Sequence, residues 1–204
     1  MRILIPVIAL TVLAVPGFAQ FPKEAPGKLD AKRVTAGTYS VDTPHTLVSW
    51  AVDHMGFNDY FGLFGGATGS MTLDPAHPNA TKLSIEVPIS GLTTTNPKLN
   101  THLSSPDFFD VGKFATAKFV STMVMVKGTS AMIHGDLTLH GVTKPITLNA
   151  KFTGAGTSLP MAGSKATVGF RANGTIKRSD FGMGAFVPLV SDAVELKISV
   201  AFEK

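Results

Sequence analysis

From residue 37 onward, apolar and polar residues alternate in short segments that are separated by turn residues. The alternation is clearest over residues 82–89 and 193–202, where every second residue is a large apolar one. A period of two places one face of a strand against a core and the other face in solvent, which is typical of an antiparallel sheet. The pattern predicts strands near residues 37–41, 46–55, 64–73, 81–89, 116–127, 131–139, 145–152, 165–177 and 193–202.

Several of the predicted strands are joined by short connections, such as residues 127–130 and 140–144. Short connections indicate hairpins between neighbours, and a meander of about eight strands tends to close into a barrel because closure removes the exposed edges. A barrel of that size either fills with side chains or holds one small ligand. The pattern alone leaves a solid sandwich and a hollow barrel as equal alternatives.

Residues 96–114 interrupt the strand pattern. Asn96-Pro97 fits a helix cap followed by proline in the first turn, and Ser105-Pro106 fits a second such start. Leu99 and Leu103 are four residues apart and would share one helix face, with several phenylalanines following. This segment predicts a short helical insertion, either a plug in one end of the barrel or a lid over a ligand entrance.

The N-terminus has the features of an export signal. Arg2 precedes an apolar run over residues 3–15, which is shorter than the roughly 20 residues of a membrane-spanning helix. Gly17 and Ala19 provide the small residues of a cleavage site before Gln20. We therefore expect a signal peptide over residues 1–19, a leader over 20–36, and one folded domain over 37–204 that is soluble after export.

Composition excludes several classes of function. The chain contains no cysteine, so thiol chemistry and lipid attachment through an N-terminal cysteine are impossible. The net charge is +4 and the basic residues are scattered along the chain, without the stripe expected of a nucleic-acid-binding protein. No Gly-x-Ser-x-Gly motif offers a nucleophile. Six histidines are present, but His134 and His140 are too far apart on one strand to share a metal ion, and only His54 and His102 could meet across the barrel mouth.

A set of ordered motifs resembles the YceI-like family of periplasmic lipid-binding proteins, from residue 37 to the C-terminus. The motifs are YSVD at 39–42, PHT at 44–46, VDHMGF at 52–57, GLF at 62–64, HLSSPDFFD at 102–110, AKFVS at 117–121, GDLTLHGVTK at 135–144, IKRSDFGM at 176–183 and VSDAV at 190–194. The resemblance implies an all-β, antiparallel lipocalin-like barrel of about eight strands, and it favours the hollow alternative. It also implies a bound polyisoprenoid, isoprenoid quinone or similar long amphiphile, with no other cofactor and no catalysis.

The predicted inward faces supply candidate contacts for such a ligand, because apolar burial alone can hold a long hydrocarbon chain. The candidates are Val48, Trp50, Val52, Ile85, Val87, Leu103, Phe119, Met123, Phe170 and Ile198. Lys177 and Arg178 are candidate contacts for a polar headgroup, with pairing of Arg178 to Asp180 or Asp192 as the structural alternative. The partners expected are the lipid itself, transient contact with a membrane and a second copy of the chain, but no nucleic acid or metal. The alternative function is a stress-related, chaperone-like interaction protein with a packed core.

We predict that the mature protein begins at Gln20, because the small residues at 17 and 19 follow the apolar run at the spacing of a cleavage site. N-terminal sequencing of protein recovered from the periplasm tests this. Recovery of a chain that still begins with Met1 would contradict it.

Overall fold

The computed structural model describes residues 22–204, so the predicted signal peptide lies outside the described residues. These residues form one sheet of eleven strands. The strands are β1 (Gly37–Val41), β2 (Leu47–His54), β3 (Asn58–Phe64), β4 (Thr68–Leu73), β5 (Lys82–Pro88), β6 (Leu92–Thr93), β7 (Thr116–Lys127), β8 (Ser130–Leu139), β9 (Val142–Thr157), β10 (Ala166–Lys177) and β11 (Ala193–Glu203). A single α-helix, α1 (Pro97–Leu103), lies between β6 and β7, and short 3-10 turns occur at Ala31–Arg33, Thr43–His45, Pro78–Ala80, Ile89–Gly91, Pro160–Ala162 and Arg178–Phe181.

The sheet closes into a barrel of eight antiparallel strand positions. The first three positions are each broken into two strands, β1 with β2, β3 with β4, and β5 with β6. Strand β11 closes the ring because it pairs with β1 through Ser40 and Val41 and with β2 through residues 47–51. Closure joins the first and last strand positions, which removes the two free edge strands of an open sheet. The predicted antiparallel barrel is confirmed.

Most predicted strands match the observed ones, and the differences have local causes. Strand β3 was not predicted apart from Phe64, because Asn58, Asp59 and Gly62 interrupt its apolar pattern; the ladder with β2 nevertheless extends it from Asn58 to Phe64. The single strand predicted over residues 64–73 is wrong in its first part, since residues 65–67 separate β3 from β4. Gly62 lies opposite Trp50, and a Cβ atom there would be 2.2 Å from Cζ2 of the indole. The glycine is therefore needed for the close approach of this ring.

The helical insertion has one helix. The Asn96 side chain accepts hydrogen bonds from the backbone N–H groups of Lys98 and Leu99, which confirms the predicted cap. The second predicted start at Ser105 is wrong in detail, since the chain folds there into turns in which Asp110 N–H donates to the Ser105 carbonyl. No helix within residues 22–204 is both long and apolar enough to cross a membrane.

Part of the predicted leader packs onto the barrel. Lys28 and Ala155 exchange two backbone hydrogen bonds of 2.9 and 3.0 Å, and Val34 contacts the cluster formed by Tyr39 and its neighbours. Residues 28–36 thus lie against one barrel end, which we call the leader end. The opposite end, which we call the helix end, contains α1, the β2–β3 hairpin and the loop between β10 and β11.

Candidate functional site

The barrel interior contains a cavity of about 890 Å³. Its wall is formed by inward-facing side chains from most strands, and Val48, Ile85, Leu148 and Val200 are among them. The volume lies near the upper end of the range of about 300–1,000 Å³ for small-molecule sites. The interior is therefore hollow, and the alternative of a solid sandwich is wrong.

The cavity wall includes every predicted apolar lining residue except one. Those that face the cavity are Val48, Trp50, Val52, Ile85, Val87, Leu103, Phe119, Phe170 and Ile198. They come from five strands and from α1. The strand residues could be grouped from the sequence because strict alternation marks the inward face of a strand.

Met123 was predicted to line the cavity, and that prediction is wrong. The pairing of β7 with β8 shifts between Ser121 and Met123, where a β-bulge adds one residue to β7. A one-residue shift moves all later side chains to the opposite face. Met123 is consequently half-exposed on the barrel exterior, whereas Val124 and Val126 face the cavity.

The helix end of the cavity is lined by α1 and by aromatic residues. Leu99, His102 and Leu103 face the interior from α1. The His102 ring makes an edge contact with Phe108, with 5.0 Å between ring centroids, and Phe108 stacks on Phe186 at 6.2 Å. His54 also lines this end, so both histidines expected at the mouth lie on the cavity wall.

Two buried polar atoms belong to residues of the cavity wall. Trp50 Nε1 and Thr46 Oγ1 are inaccessible to solvent and have no hydrogen-bond partner among the described residues. An unpaired buried donor costs about 1–3 kcal/mol, so each atom is a local cost to the folded state. Both atoms are buried behind the wall, and the polar side chains that line it include Asn96, His54, His102 and Arg178. No sequence signal identified them, because a threonine and a tryptophan on a strand are ordinary.

The remaining histidines have structural partners. His45 contacts Asp42, His77 contacts Asp74, His134 contacts Thr147 and His140 contacts the Phe181 carbonyl. The hydrogen bond from His77 holds the pKa of the Asp74 carboxyl below its usual value. Within residues 22–204, no three metal-ligating side chains are grouped in a way that could hold an ion.

Arg178 organises the loop between β10 and β11. The residue is 6% exposed, and its guanidinium donates to four carbonyl groups, those of Met183, Ala185, Val190 and Ser191, over 2.6–2.9 Å. Burial lowers the pKa of this guanidinium, and Asp192 partly opposes the shift. The side chain therefore pins the loop, although through carbonyl groups and not through the predicted pairing with Asp180 or Asp192.

Lys177 and Asp192 lie outside the cavity. Lys177 is exposed at the end of β10, and Asp192 accepts hydrogen bonds from the backbone N–H and the hydroxyl of Ser179. These two bonds hold the pKa of Asp192 below its usual value. Arg178 reaches the cavity wall, but four of its five N–H donors are bonded to carbonyl groups of the loop. The arrangement favours a structural role for this basic pair.

The barrel exterior brings together basic residues that are distant in sequence. Lys127, Lys151, Arg171 and Lys197 line one shallow outer groove, and Lys151 is paired directly opposite Arg171. None of the four makes an ion pair within the described residues. The sheet thus groups charges that are scattered along the chain.

A closed antiparallel barrel around a large apolar cavity defines the lipocalin-like class of folds. The model of the YceI-like domain matches residues 39–202. The chain therefore belongs to the YceI-like family, as its motifs indicated.

Relatives and solved structures agree with this assignment. A UPF0312 protein of Pseudomonas fluorescens is 39% identical over 175 residues, which are 84% of this chain and 89% of the relative. The YceI protein of Campylobacter jejuni is 29% identical, with a TM-score of 0.65 over 74% of this chain and 89% of that one. A polyisoprenoid-binding domain of Saccharophagus degradans is 14% identical and shares the fold, with a TM-score of 0.61 over 81% of this chain and 97% of that one.

We predict that Phe119→Asp weakens binding of the uncharged apolar fluorophore N-phenyl-1-naphthylamine at least tenfold, because it places a carboxylate on the cavity wall. Met123→Asp lies on the same strand but faces outward, and we expect unchanged binding. Fluorescence titration measures both, and circular dichroism checks that the barrel persists. Equal loss in the two variants would contradict the bulge-shifted register.

We predict that Arg178→Met lowers the free energy of unfolding by about 2–4 kcal/mol, because buried carbonyl groups lose a charged donor. Lys177→Met is the control, and its exposed position predicts a change within about 0.5 kcal/mol. Urea denaturation followed by Trp50 fluorescence gives both values. Equal stabilities of the two variants would show that the carbonyl contacts are dispensable.

Proposed function

We propose that this protein binds and carries or stores a long apolar lipid, such as a polyisoprenoid, an isoprenoid quinone or a similar amphiphile, inside its barrel in the periplasm, without catalysing a reaction. The observation on which this rests is the cavity of about 890 Å³ with an almost wholly apolar wall. A site with this wall can remove hydrocarbon from water but offers a ligand few hydrogen-bond partners. It suits a ligand that consists mainly of hydrocarbon.

Burial of hydrocarbon supplies enough free energy for such binding. Each methylene group removed from water contributes about 0.8 kcal/mol, so a chain of several isoprene units gains more than the cost of immobilising it. Methionine side chains at Met71 and Met183 lie on the wall and adapt to irregular shapes. The site is thus compatible with chains of different length.

The proposed contacts are the cavity-facing members of the predicted set. Phe119, Phe170 and Trp50 provide aromatic surface for the hydrocarbon chain. No further cofactor is required.

Two further features support the proposal. The relative from Saccharophagus degradans is described as a polyisoprenoid-binding domain, and the export signal expected at the N-terminus would bring the chain to the periplasm. A lipid carrier must exchange its ligand with a membrane, so transient membrane contact is part of the proposal. A second copy of the chain is a further proposed partner. The chaperone-like alternative requires a packed core, and the cavity disfavours it.

Mass spectrometry of an organic extract tests the proposal. We expect protein purified without detergent from its native host to yield one long-chain lipid at close to one molecule per chain. Phe119→Asp should yield at least tenfold less, and Met123→Asp the same amount as the unaltered protein. Native protein that yields no lipid, yet suppresses aggregation of an unfolded client, would support the chaperone-like function instead.

A further inference from the structure

The loop between β10 and β11 has an unusual composition for a surface loop. From Phe181 to Val190 it contains only glycine, alanine, proline and large apolar residues. Phe186 is 56% exposed and Leu189 58% exposed. Loops normally present polar groups to water, and a contiguous exposed apolar patch indicates an interaction surface.

The β2–β3 hairpin extends this apolar surface. Its tip is Met55-Gly56-Phe57, and Phe57 is 86% exposed. Met55 N–H donates to the Leu189 carbonyl over 2.7 Å, so the hairpin tip and the loop are held side by side. We call the exposed residues Met55, Phe57, Phe186, Val187 and Leu189 the apolar rim.

The backbone of the rim adopts conformations that disfavour its residue types. Met55 has φ = 60° and Phe186 has φ = 63°, both in the left-handed region that residues with a Cβ rarely occupy. Four carbonyl contacts from Arg178 and the stacked ring of Phe108 hold the loop in this form. Such strain persists only where the surrounding structure enforces it, and it is common at functional sites.

The rim is continuous with the cavity. Met55, Phe186 and Leu189 line the cavity and are also exposed to solvent, so the interior opens between them. An apolar chain leaving the barrel here would pass from one apolar surface to another. The hydrocarbon region of a lipid bilayer is the partner that makes this path continuous.

We propose that the apolar rim docks onto the surface of a phospholipid bilayer, so that the cavity mouth opens into the membrane. This inference rests on the proposed lipid-carrying function and names the surface and the partner through which the ligand is exchanged. No charged residue lies at the hairpin tip or between Phe181 and Val190, so apolar insertion and not attraction to anionic headgroups drives docking. The basic groove around Lys151 and Arg171 lies on the barrel side and is a separate surface.

Vesicle flotation tests this docking with two double variants. Phe57→Ser with Val187→Ser removes two rim side chains that do not line the cavity. Leu47→Ser with Leu63→Ser is the control, since both leucines are exposed on the barrel exterior. With phosphatidylcholine vesicles, we expect the unaltered protein and the control to co-float and the rim variant to partition at least tenfold less.

A fluorescent label tests the position of the contact. The chain has no cysteine, so Phe57→Cys and Leu47→Cys each provide one attachment site for a fluorophore whose emission rises in an apolar environment. On addition of vesicles, we expect the emission to rise at position 57 and to stay constant at position 47. A rise at both positions or at position 47 alone would overturn the proposal.

Other outcomes separate this proposal from the proposed function. Protein that yields extracted lipid but never co-floats would overturn docking and leave the carrier function intact. Co-flotation by the rim without any extracted lipid would support docking and remove the carrier function. Flotation only with phosphatidylglycerol vesicles, if it is lost in the double variant Lys151→Ala with Arg171→Ala, would overturn rim docking. Rim docking would also be overturned if the protein never floats but self-associates in a concentration-dependent way that the rim variant abolishes.

Discussion

Closure of the sheet through β11 is the constraint on which the rest of the molecule depends. Strand β11 pairs with β1 near Phe202 and with β2 over residues 47–51, so both ends of the meander are joined by the same strand. Each of the eight strand positions then has a neighbour on both sides, and one face of each strand points inward. The inward side chains are apolar. Some pack into buried clusters, such as that of Tyr39, Val168 and Phe202, and together they enclose the cavity.

The hollow interior lowers the stability of the fold at specific residues. Trp50 and Thr46 each leave one polar atom buried and unpaired behind the wall, and Gly62 removes the side chain that would collide with the indole. A ligand of the proposed kind would cover the apolar wall and remove it from water. Its binding would stabilise the folded state, so the proposed function and the stability are linked.

The two barrel ends have different physical character. At the leader end, Lys28 and Val34 cover the barrel with backbone hydrogen bonds and a core contact. At the helix end, Arg178 holds an apolar loop whose exposed phenylalanine stacks on the insertion. The leader end is held by backbone pairing, whereas the helix end has apolar residues in solvent. The second is therefore the end at which we propose that ligand is exchanged.

The amino-acid sequence by itself determined most of the strands, the antiparallel meander, the Asn96 helix cap and ten candidate wall residues of which nine line the cavity, because alternation and capping are local properties. Only the tertiary structure decided which face Met123 takes, because a bulge in β7 depends on its pairing with β8. The same holds for Arg178, whose carbonyl partners are brought together by the loop, and for Lys151 and Arg171, which become neighbours through strand pairing. The local sequence pattern indicates which residues share one face of a strand. Strand register and barrel closure determine which residues are in contact, and both depend on pairing between segments that are far apart in the chain.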